Sequence, residues 1–291
     1  MIDGFLLVDK EGGWTSHDVV AKARRLLGQK KIGHAGTLDP MATGLLVLGL
    51  GRATRTIRYV QNANKTYVAT ALFGVATDTL DADGAVLSRS PMAFGEADLR
   101  AVIPRFVGEI MQVPPMVSAL KIDGRRLYDL AREGKEIERQ ARPVSVQQIE
   151  VLDFAPGSYP EVTFTVDCGS GTYIRTLADD LGRALGGFAH LTALRRTRIG
   201  RLSVEAAHTI GSLEELDPEA TVRSMGDVLL KELPQVAVDG ATALGVRNGR
   251  PLPADLFAAV DRPYCVMDQE GRLLAVYSSD GVKARSEVVF S

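Results

Sequence analysis

The stretch 161-EVTFTVDCGSGTYIRTLADDLGRALGG-187 carries a strand pattern and a helix pattern joined by a glycine-rich turn. Apolar residues occupy every second position from Val162 to Cys168, which predicts a strand with one buried face. After Tyr173, apolar residues recur at helical spacing and stop at Gly186 and Gly187, which are typical of a helix C-terminus. Strands and helices alternate elsewhere without a regular βαβ rhythm, so the sequence predicts an α+β fold rather than a doubly wound sheet.

The composition is that of a globular protein with a large core. The chain has 291 residues, of which 45% are hydrophobic and 24% charged. Its net charge of -2 gives no global basic excess, so a polyanionic partner would have to be bound by local patches. Cys168 and Cys265 lie far apart without metal-ligand spacing, which indicates reduced thiols. The N-terminus resembles neither a signal peptide nor an anchor, and no apolar run reaches the roughly 18 residues of a spanning helix. We therefore expect a cytoplasmic protein without membrane contact.

Local patterns also suggest helix boundaries and a division into domains. Ser16 is positioned to cap a helix that runs to about Leu27. Residues 96–107 predict another helix, which Pro104 is expected to disturb. Short strands and tight turns dominate the last sixty residues, which indicates a small β-rich unit. We expect a main domain over residues 1–232 and a small one over residues 233–291.

The segment 33-GHAGTLDPMATG-44 places an aspartate before a proline among three glycines. Two interpretations of Asp39 are equally compatible with this spacing. Asp39 would cap a short helix that has Pro40 at its first position. Alternatively, Pro40 keeps Asp39 out of the helical region, and the glycines allow a ligand to approach a carboxylate in an irregular loop. Such a carboxylate would act as nucleophile or base, provided that a cation keeps it ionised.

Four further residues are candidates for a site. Arg175 lies at the predicted strand-to-helix junction, where it would supply that cation, although a single arginine is more often solvated surface. Tyr67 and Tyr173 lie on or beside predicted strands and belong either to the core or to a wall on which a planar ring stacks. His34 is either a loop residue or a second stacking group.

Basic clusters at residues 22–31 and 121–142 flank the aspartate motif, which fits phosphate contacts somewhat better than solvated surface. The aspartates at 78, 81 and 83 lack the twelve-residue calcium-loop pattern, and we interpret them as a turn. The sequence contains no Walker loop, no GxGxxG after a strand and no Cys/His metal set. An enzyme that needs neither a metal nor a cofactor is therefore the simplest catalytic hypothesis.

Taken in order, the motifs resemble those of the bacterial TruB-type tRNA pseudouridine synthases. The matching segments cover most of residues 4–200: GFLLVDKEGGWTSHDVV, GHAGTLDPMATGLLVLGLGRATR, KTYVATALFGVATDTLDADG, PPMVSALKIDGRRLYDLAREG, CGSGTYIRTLADDLG and AHLTALRRTRIG. The tail after about Pro234 has weaker similarity to a PUA-type RNA-binding domain. The resemblance implies a catalytic domain on a mixed, mostly antiparallel sheet with flanking helices, and a basic tRNA-binding insert at about residues 120–145.

The resemblance also implies an activity, which is conversion of the uridine at position 55 in the tRNA T-loop to pseudouridine. The enzyme would flip the base out and use no cofactor. Asp39 would be the catalytic aspartate, Arg175 would hold it ionised, and Tyr67 would stack on the base and serve as a base late in the reaction. Substrate contacts implied by the family are Lys10, His34, Asp78, Tyr173 and Leu194. The expected partner is the T-arm of tRNA, bound by a monomer without an obligate protein partner.

Three other readings compete with this one. An RNA-guided relative from archaea or eukaryotes shares the aspartate motif, but the basic insert and short tail favour the stand-alone bacterial type. A non-catalytic tRNA-binding protein or folding chaperone on the same scaffold would be expected to lack part of the catalytic set. An unrelated aspartate hydrolase would have no use for Tyr67 or for the basic insert.

Overall fold

The computed structural model of the chain describes residues 2–118, 121–122, 125–126, 137–217, 219–257 and 262–290. Its strands are β1 (Gly4–Lys10), β2 (Ile32–His34), β3 (Thr43–Leu50), β4 (Lys65–Phe73), β5 (Val75–Thr77), β6 (Val86–Arg89), β7 (Gly108–Gln112), β8 (Lys121–Ile122), β9 (Arg125–Arg126), β10 (Arg142–Ala155), β11 (Glu161–Cys168), β12 (Ala189–Ile199), β13 (Leu202–Ser203), β14 (Gln235–Ala237), β15 (Leu252–Pro253), β16 (Tyr264–Met267), β17 (Leu273–Ser279) and β18 (Lys283–Val289). Its α-helices are α1 (Ser16–Leu26), α2 (Ile57–Gln61), α3 (Glu96–Val102), α4 (Ile174–Ala184), α5 (Ile210–Glu215), α6 (Met225–Glu232) and α7 (Gly240–Arg247). Half of the expected insert at residues 120–145, including residues 127–136, lies outside the described residues.

The large sheet has the strand order β1-β3-β12-β4-β11-β10-β7, with β2 paired to β3 and β13 paired to β12. The β3–β12 pair is parallel, and the other pairs of this sheet are antiparallel. The expected α+β fold on a mixed, mostly antiparallel sheet is therefore confirmed. Strands β3 and β4 are not neighbours, because β12, which comes late in the chain, lies between them.

Strand β3 is an almost continuous apolar run because both of its faces are buried. Leu46 and Leu48 belong to one core cluster, whereas Leu45 and Val47 belong to another on the opposite face. Strand β11 instead alternates between buried and half-buried residues, as the sequence predicts. The centre of the sheet is thus covered on both sides, which gives the loops at its edge a rigid base.

The N-cap of helix α1 lies one residue earlier than the sequence predicts. Its N-cap is Thr15, whose hydroxyl accepts from the amide of Asp18, while the carboxylate of Asp18 accepts from the amide of Thr15. The expected cap at Ser16 is therefore wrong, because the Ser16 hydroxyl is engaged elsewhere. It accepts from the Leu38 amide at 2.9 Å and donates to the Leu38 carbonyl at 3.2 Å.

The helix expected over residues 96–107 is shorter than the pattern indicates. Helix α3 ends at Val102, a 3-10 turn spans Ile103–Phe106, and β7 follows from Gly108. Pro104 lies in that turn, where its missing amide and its ring end the regular α-helix. Within the described residues, no helix is both long enough and apolar enough to cross a bilayer.

The C-terminal strands form a second sheet in the order β14-β16-β17-β18-β15. The expected boundary at residues 232–233 falls between α6 and β14. Helix α7 lies between β14 and β15 in the chain, and the sequence pattern does not indicate it. Cys265 and Val276 of the sheet lie in the same core cluster as Phe5 and Leu7 of β1 and Leu229 of α6. The two sheets therefore share a continuous apolar core.

Candidate active site

Asp39 lies in an irregular loop between β2 and β3, and no helix follows it before β3 begins at Thr43. The helix-cap interpretation is therefore wrong, and the loop interpretation holds. The buried Lys10 anchors this loop, since its ammonium donates to the Pro40 carbonyl at 3.1 Å and to the Trp14 carbonyl at 2.7 Å. Burial lowers the pKa of Lys10 to about 8, while Asp39 opposes that shift. Ser16 of α1 fixes the backbone of Leu38 immediately before the aspartate.

Arg175, in the first turn of α4, grips both carboxylate oxygens of Asp39. Its Nη2 lies 3.1 Å from Oδ1 and its Nε lies 3.1 Å from Oδ2. Its Nη1 lies 3.1 Å from Oδ2 of Asp81 and donates to the Thr79 carbonyl at 2.8 Å, while Nη2 donates to the Val117 carbonyl at 2.8 Å. A guanidinium with four partners has little freedom to rotate, so it fixes the orientation of the Asp39 carboxylate.

The two members of this pair differ in exposure. The side chain of Arg175 is 4% exposed, whereas that of Asp39 is 34% exposed. Burial raises the pKa of the Asp39 carboxyl above its ordinary value, and Arg175 and Lys10 oppose this by favouring the ionised form. Asp39 therefore presents a partly buried carboxylate to a cavity, while the buried Arg175 lies behind it.

That cavity has a volume of about 400 Å³ and opens beside Asp39. The sequence-predicted residues Asp39, Tyr67, Tyr173, Arg175 and Leu194 all line it. Lys10, which anchors the loop through Pro40, is not among its lining residues.

The tyrosines and Leu194 form the walls of the cavity in different ways. Tyr67, on the central strand β4, is 8% exposed, and burial raises the pKa of its hydroxyl. Tyr173 precedes the first turn of α4, and Gln112 clamps its backbone through two hydrogen bonds of 2.8 and 3.0 Å. Leu194 on β12 adds an apolar surface. The cavity thus combines a carboxylate with aromatic and apolar walls.

Arg196 is a site residue that the motif analysis did not single out. It is 1% exposed, and its guanidinium donates to the carbonyls of Leu45 at 2.8 Å and Gly36 at 3.1 Å. It stands opposite Tyr67 in the β12–β4 register. Gly44 passes so close to the Arg196 backbone that a Cβ there would lie 2.3 Å from its carbonyl oxygen. Arg196 therefore ties the glycine-rich loop to the sheet beneath it.

Lys65 is a second lining residue that was missed. It is 6% exposed and donates to the backbone carbonyls of Gln61 and Ala63. Burial lowers its pKa to about 8, and the positive charge of Arg196 acts in the same direction. The alternation of β4 gives a signal for Lys65, because it falls on the same buried face as Tyr67.

The structure does not bring Asp78 to the cavity, contrary to expectation. Asp78 is exposed, and its carboxylate accepts from the Ala85 amide at 2.8 Å within the predicted turn. Leu80, between Asp78 and Asp81, has a φ of +62°, a left-handed conformation that leucine rarely adopts. Asp81 is buried and its carboxylate lies against Arg175, although Asp81 is not a lining residue of the cavity either.

His34 lies outside the Asp39 cavity. It lines a neighbouring cleft together with His17, whose ring meets it edge to face with centroids 5.5 Å apart. Gln61 lines both spaces, so the cleft and the cavity adjoin.

Solved structures with this fold point to one class of enzyme. The Cbf5 structure described as "Cbf5-Nop10-Gar1 Complex" has a TM-score of 0.76 and 27% identity, and the match covers 99% of this chain and 84% of that one. The structure "H/ACA RNP bound to a substrate RNA containing 2'-deoxyuridine" has a TM-score of 0.74 and 25% identity, over 99% of this chain and 85% of that one. Together with a loop aspartate clamped by a buried arginine beside an aromatic wall, the fold is that of the pseudouridine synthases.

Sequence comparisons identify the family within the pseudouridine synthases to which the chain belongs. The model "TruB family pseudouridylate synthase (N terminal domain)" matches residues 24–174, and "tRNA pseudouridylate synthase B C-terminal domain" matches residues 175–231. A tRNA pseudouridine synthase B from Arthrobacter sp. (strain FB24) is 42% identical over 100% of this chain and 97% of its own. One from Ralstonia nicotianae is 48% identical over 88% of this chain and 82% of its own. One from Mycobacterium leprae is 43% identical over 98% of this chain and 90% of its own. The chain therefore belongs to the TruB family of tRNA pseudouridine synthases, which confirms the resemblance seen in its motifs.

Proposed function

We propose that the protein isomerises uridine to pseudouridine at position 55 in the T-loop of tRNA. The N1–C1′ glycosidic bond breaks, the uracil rotates, and a C5–C1′ bond forms while the proton of C5 is lost and N1 gains one. Substrate and product have the same atoms and oxidation state, so the conversion requires no cofactor. The target base is stacked inside a folded loop, so it must be flipped out at a cost of a few kcal/mol.

The observation that carries the proposal is the asymmetry of the Asp39–Arg175 pair. The carboxylate faces the 400 Å³ cavity, while its cation is buried and has three further partners. A surface ion pair would leave both groups solvated, and a core pair would hide both. An ionised carboxylate held in a fixed orientation is suited to attack C6 of the ring or C1′ of the ribose, or to remove a ribose proton.

The surrounding residues support the flipped nucleotide in this proposal. Tyr67 stacks on the uracil and acts as a base late in the reaction; burial raises the pKa of its hydroxyl, and the nearby cation Arg196 opposes this by favouring the deprotonated form. Tyr173 and Leu194 line the pocket for the base. His34 fills the space that the base leaves in the T-loop, from its cleft next to the cavity. Lys10 contributes indirectly by holding the aspartate loop.

We also infer that the protein acts as a cytoplasmic monomer without an obligate protein partner. Because the net charge of -2 gives no global basic excess, we propose that local basic segments, including the insert at about residues 120–145, contact the phosphates. We further propose residues 1–232 as the catalytic domain and residues 233–291 as the RNA-binding unit.

The activity is tested with purified protein and an unmodified tRNA transcript, followed by chemical mapping of pseudouridine. Wild-type protein should modify position 55, and Asp39→Asn should bind the transcript without forming product. Absence of product from the wild type, or unchanged product from Asp39→Asn, would contradict the proposal. Tight binding without product from the wild type would instead favour a tRNA-binding protein or folding chaperone.

A further inference from the structure

A basic cleft of about 490 Å³ lies between α1, β2 and α2, beside the catalytic cavity. We call it the arginine–histidine cleft; its polar lining includes His17, Arg24, His34, Arg55, Arg58 and Gln61. Three of these side chains are guanidinium groups, and no carboxylate lines the cleft among the residues that the structure describes. A concave surface with that charge favours a polyanion over a neutral ligand.

Helix α2 forms the partition between the cleft and the cavity. Arg58 and Gln61 lie three positions apart, hence on one face of the helix, and both line the cleft. Gln61 also lines the catalytic cavity, and Lys65 holds its carbonyl in place. An RNA chain whose target nucleotide enters the cavity would therefore continue into the cleft.

Arg58 is already paired, and its partner comes from the C-terminal sheet. The carboxylate of Glu287 on β18 accepts from the guanidinium of Arg58 and, at 2.5 Å, from the hydroxyl of Tyr59. Ser278 on β17 donates to the other oxygen of the same carboxylate. The Arg58 side chain is nevertheless 55% exposed, so a ligand in the cleft can still reach it.

We propose that the arginine–histidine cleft is a second RNA subsite, which binds the phosphodiester backbone next to the flipped nucleotide, and that Glu287 limits its affinity by competing with phosphate for Arg58. This inference rests on the proposed function, because it takes the RNA in the cavity to be the ligand. A phosphate oxygen that displaces Glu287 gains a guanidinium contact but must separate an existing ion pair. Glu287 of the C-terminal sheet thereby partly neutralises Arg58, which belongs to a cleft that residues 17–61 form.

The test measures the affinity of the full chain for an unmodified tRNA transcript as a function of salt, in Asp39→Asn protein so that no turnover occurs. Glu287→Gln should bind more tightly at low salt because it releases Arg58 for phosphate. One additional phosphate contact should enlarge the loss of affinity between roughly 50 and 200 mM salt by a further factor of about three. Arg58→Met should bind more weakly than the parent, with a shallower salt dependence.

The double variant Glu287→Gln/Arg58→Met distinguishes competition from a general loss of negative charge. It should match Arg58→Met, whereas a gain that persists without Arg58 would overturn the proposal. Glu96→Gln is the matched control, since Glu96 pairs with an exposed Arg100 on α3 and its removal changes the net charge equally. An unchanged affinity and salt slope in Glu287→Gln would also overturn the proposal.

If Glu287→Gln does not fold, Arg58→Met still decides whether the cleft is an RNA subsite, which is the premise of any competition by Glu287. If Arg58→Met keeps both the parent affinity and the parent salt slope, the cleft is not an RNA subsite. These are binding measurements on protein without the Asp39 carboxylate. The proposed activity is tested separately, by measuring pseudouridine formed by the unsubstituted protein. The activity and the RNA subsite can therefore each be contradicted without the other.

Discussion

Arg175 determines, at the scale of single residues, which way the reactive carboxylate points. Substitution by lysine keeps the charge but replaces a planar fork by one ammonium group, which cannot hold both oxygens of Asp39 and also contact Asp81 and two carbonyls. We expect Arg175→Lys to lower the single-turnover rate by about 10²–10³-fold. The affinity for tRNA, measured by filter binding, should stay within a few-fold of the wild-type value. A collapse of binding with turnover intact would contradict this role.

The role of a single residue could be predicted where the motif around it resembles those of the TruB family. Asp39, Tyr67 and Arg175 stood out, and the structure brings all three to one cavity. The contact of Asp81 rather than Asp78 with Arg175 could not be predicted, because the turn between the two aspartates has a left-handed backbone at Leu80. Arg196 was missed for a different reason: an arginine in a strand is ordinarily exposed, and its burial depends on a loop about 150 positions away.

At the scale of elements, α1 supports the catalytic loop through the residue next to its cap. Thr15 caps the helix, whereas the neighbouring Ser16 holds the backbone of Leu38 before Asp39. Ser16→Ala should cost about 1–3 kcal/mol because it leaves a buried amide without a partner. It should also lower turnover, since the aspartate loop loses an anchor.

Thr15→Ala is the matched control for that prediction. Loss of the cap should cost about 0.5–2 kcal/mol of stability and leave turnover at saturating tRNA near the wild-type value. Urea unfolding gives the two stabilities and single-turnover kinetics gives the two rates. Equal rates for the two variants would show that the Ser16 contact has no bearing on the reaction.

Helices and strands could be predicted from the sequence where their apolar residues recur with a clear period. Strand β11 and helix α4 were predicted because their apolar residues recur without interruption. Helix α7 was missed because its segment, Gly240–Arg247, is rich in glycine and small residues and is flanked by turn residues. Its N-cap at Asp239 is a local signal that could have indicated it.

For the whole molecule, the shared core predicts that the C-terminal sheet and the body unfold together. Leu229 is fully buried in the cluster that contains Phe5 and Val276, and its helix α6 packs against both β1 and β17. We expect Leu229→Ala to lower the free energy of unfolding by about 2–5 kcal/mol in a single urea transition. Leu244→Ala, at a position that is 65% exposed on α7, should change it by no more than about 0.5 kcal/mol. A separate early transition of the C-terminal sheet would contradict a shared core.

The position of β12 between β3 and β4 has a consequence for protein synthesis. Arg196 and the Leu45 carbonyl that it binds are 151 residues apart in the chain, so the loop cannot be anchored until most of the polypeptide exists. At about 5–20 residues per second, the ribosome needs roughly 8–30 s to cover that distance. During this interval β3 exposes apolar side chains on both faces and lacks its parallel neighbour. The reactive centre therefore cannot assemble before Arg196 has been synthesised, and shorter nascent chains lack the anchor of the glycine-rich loop.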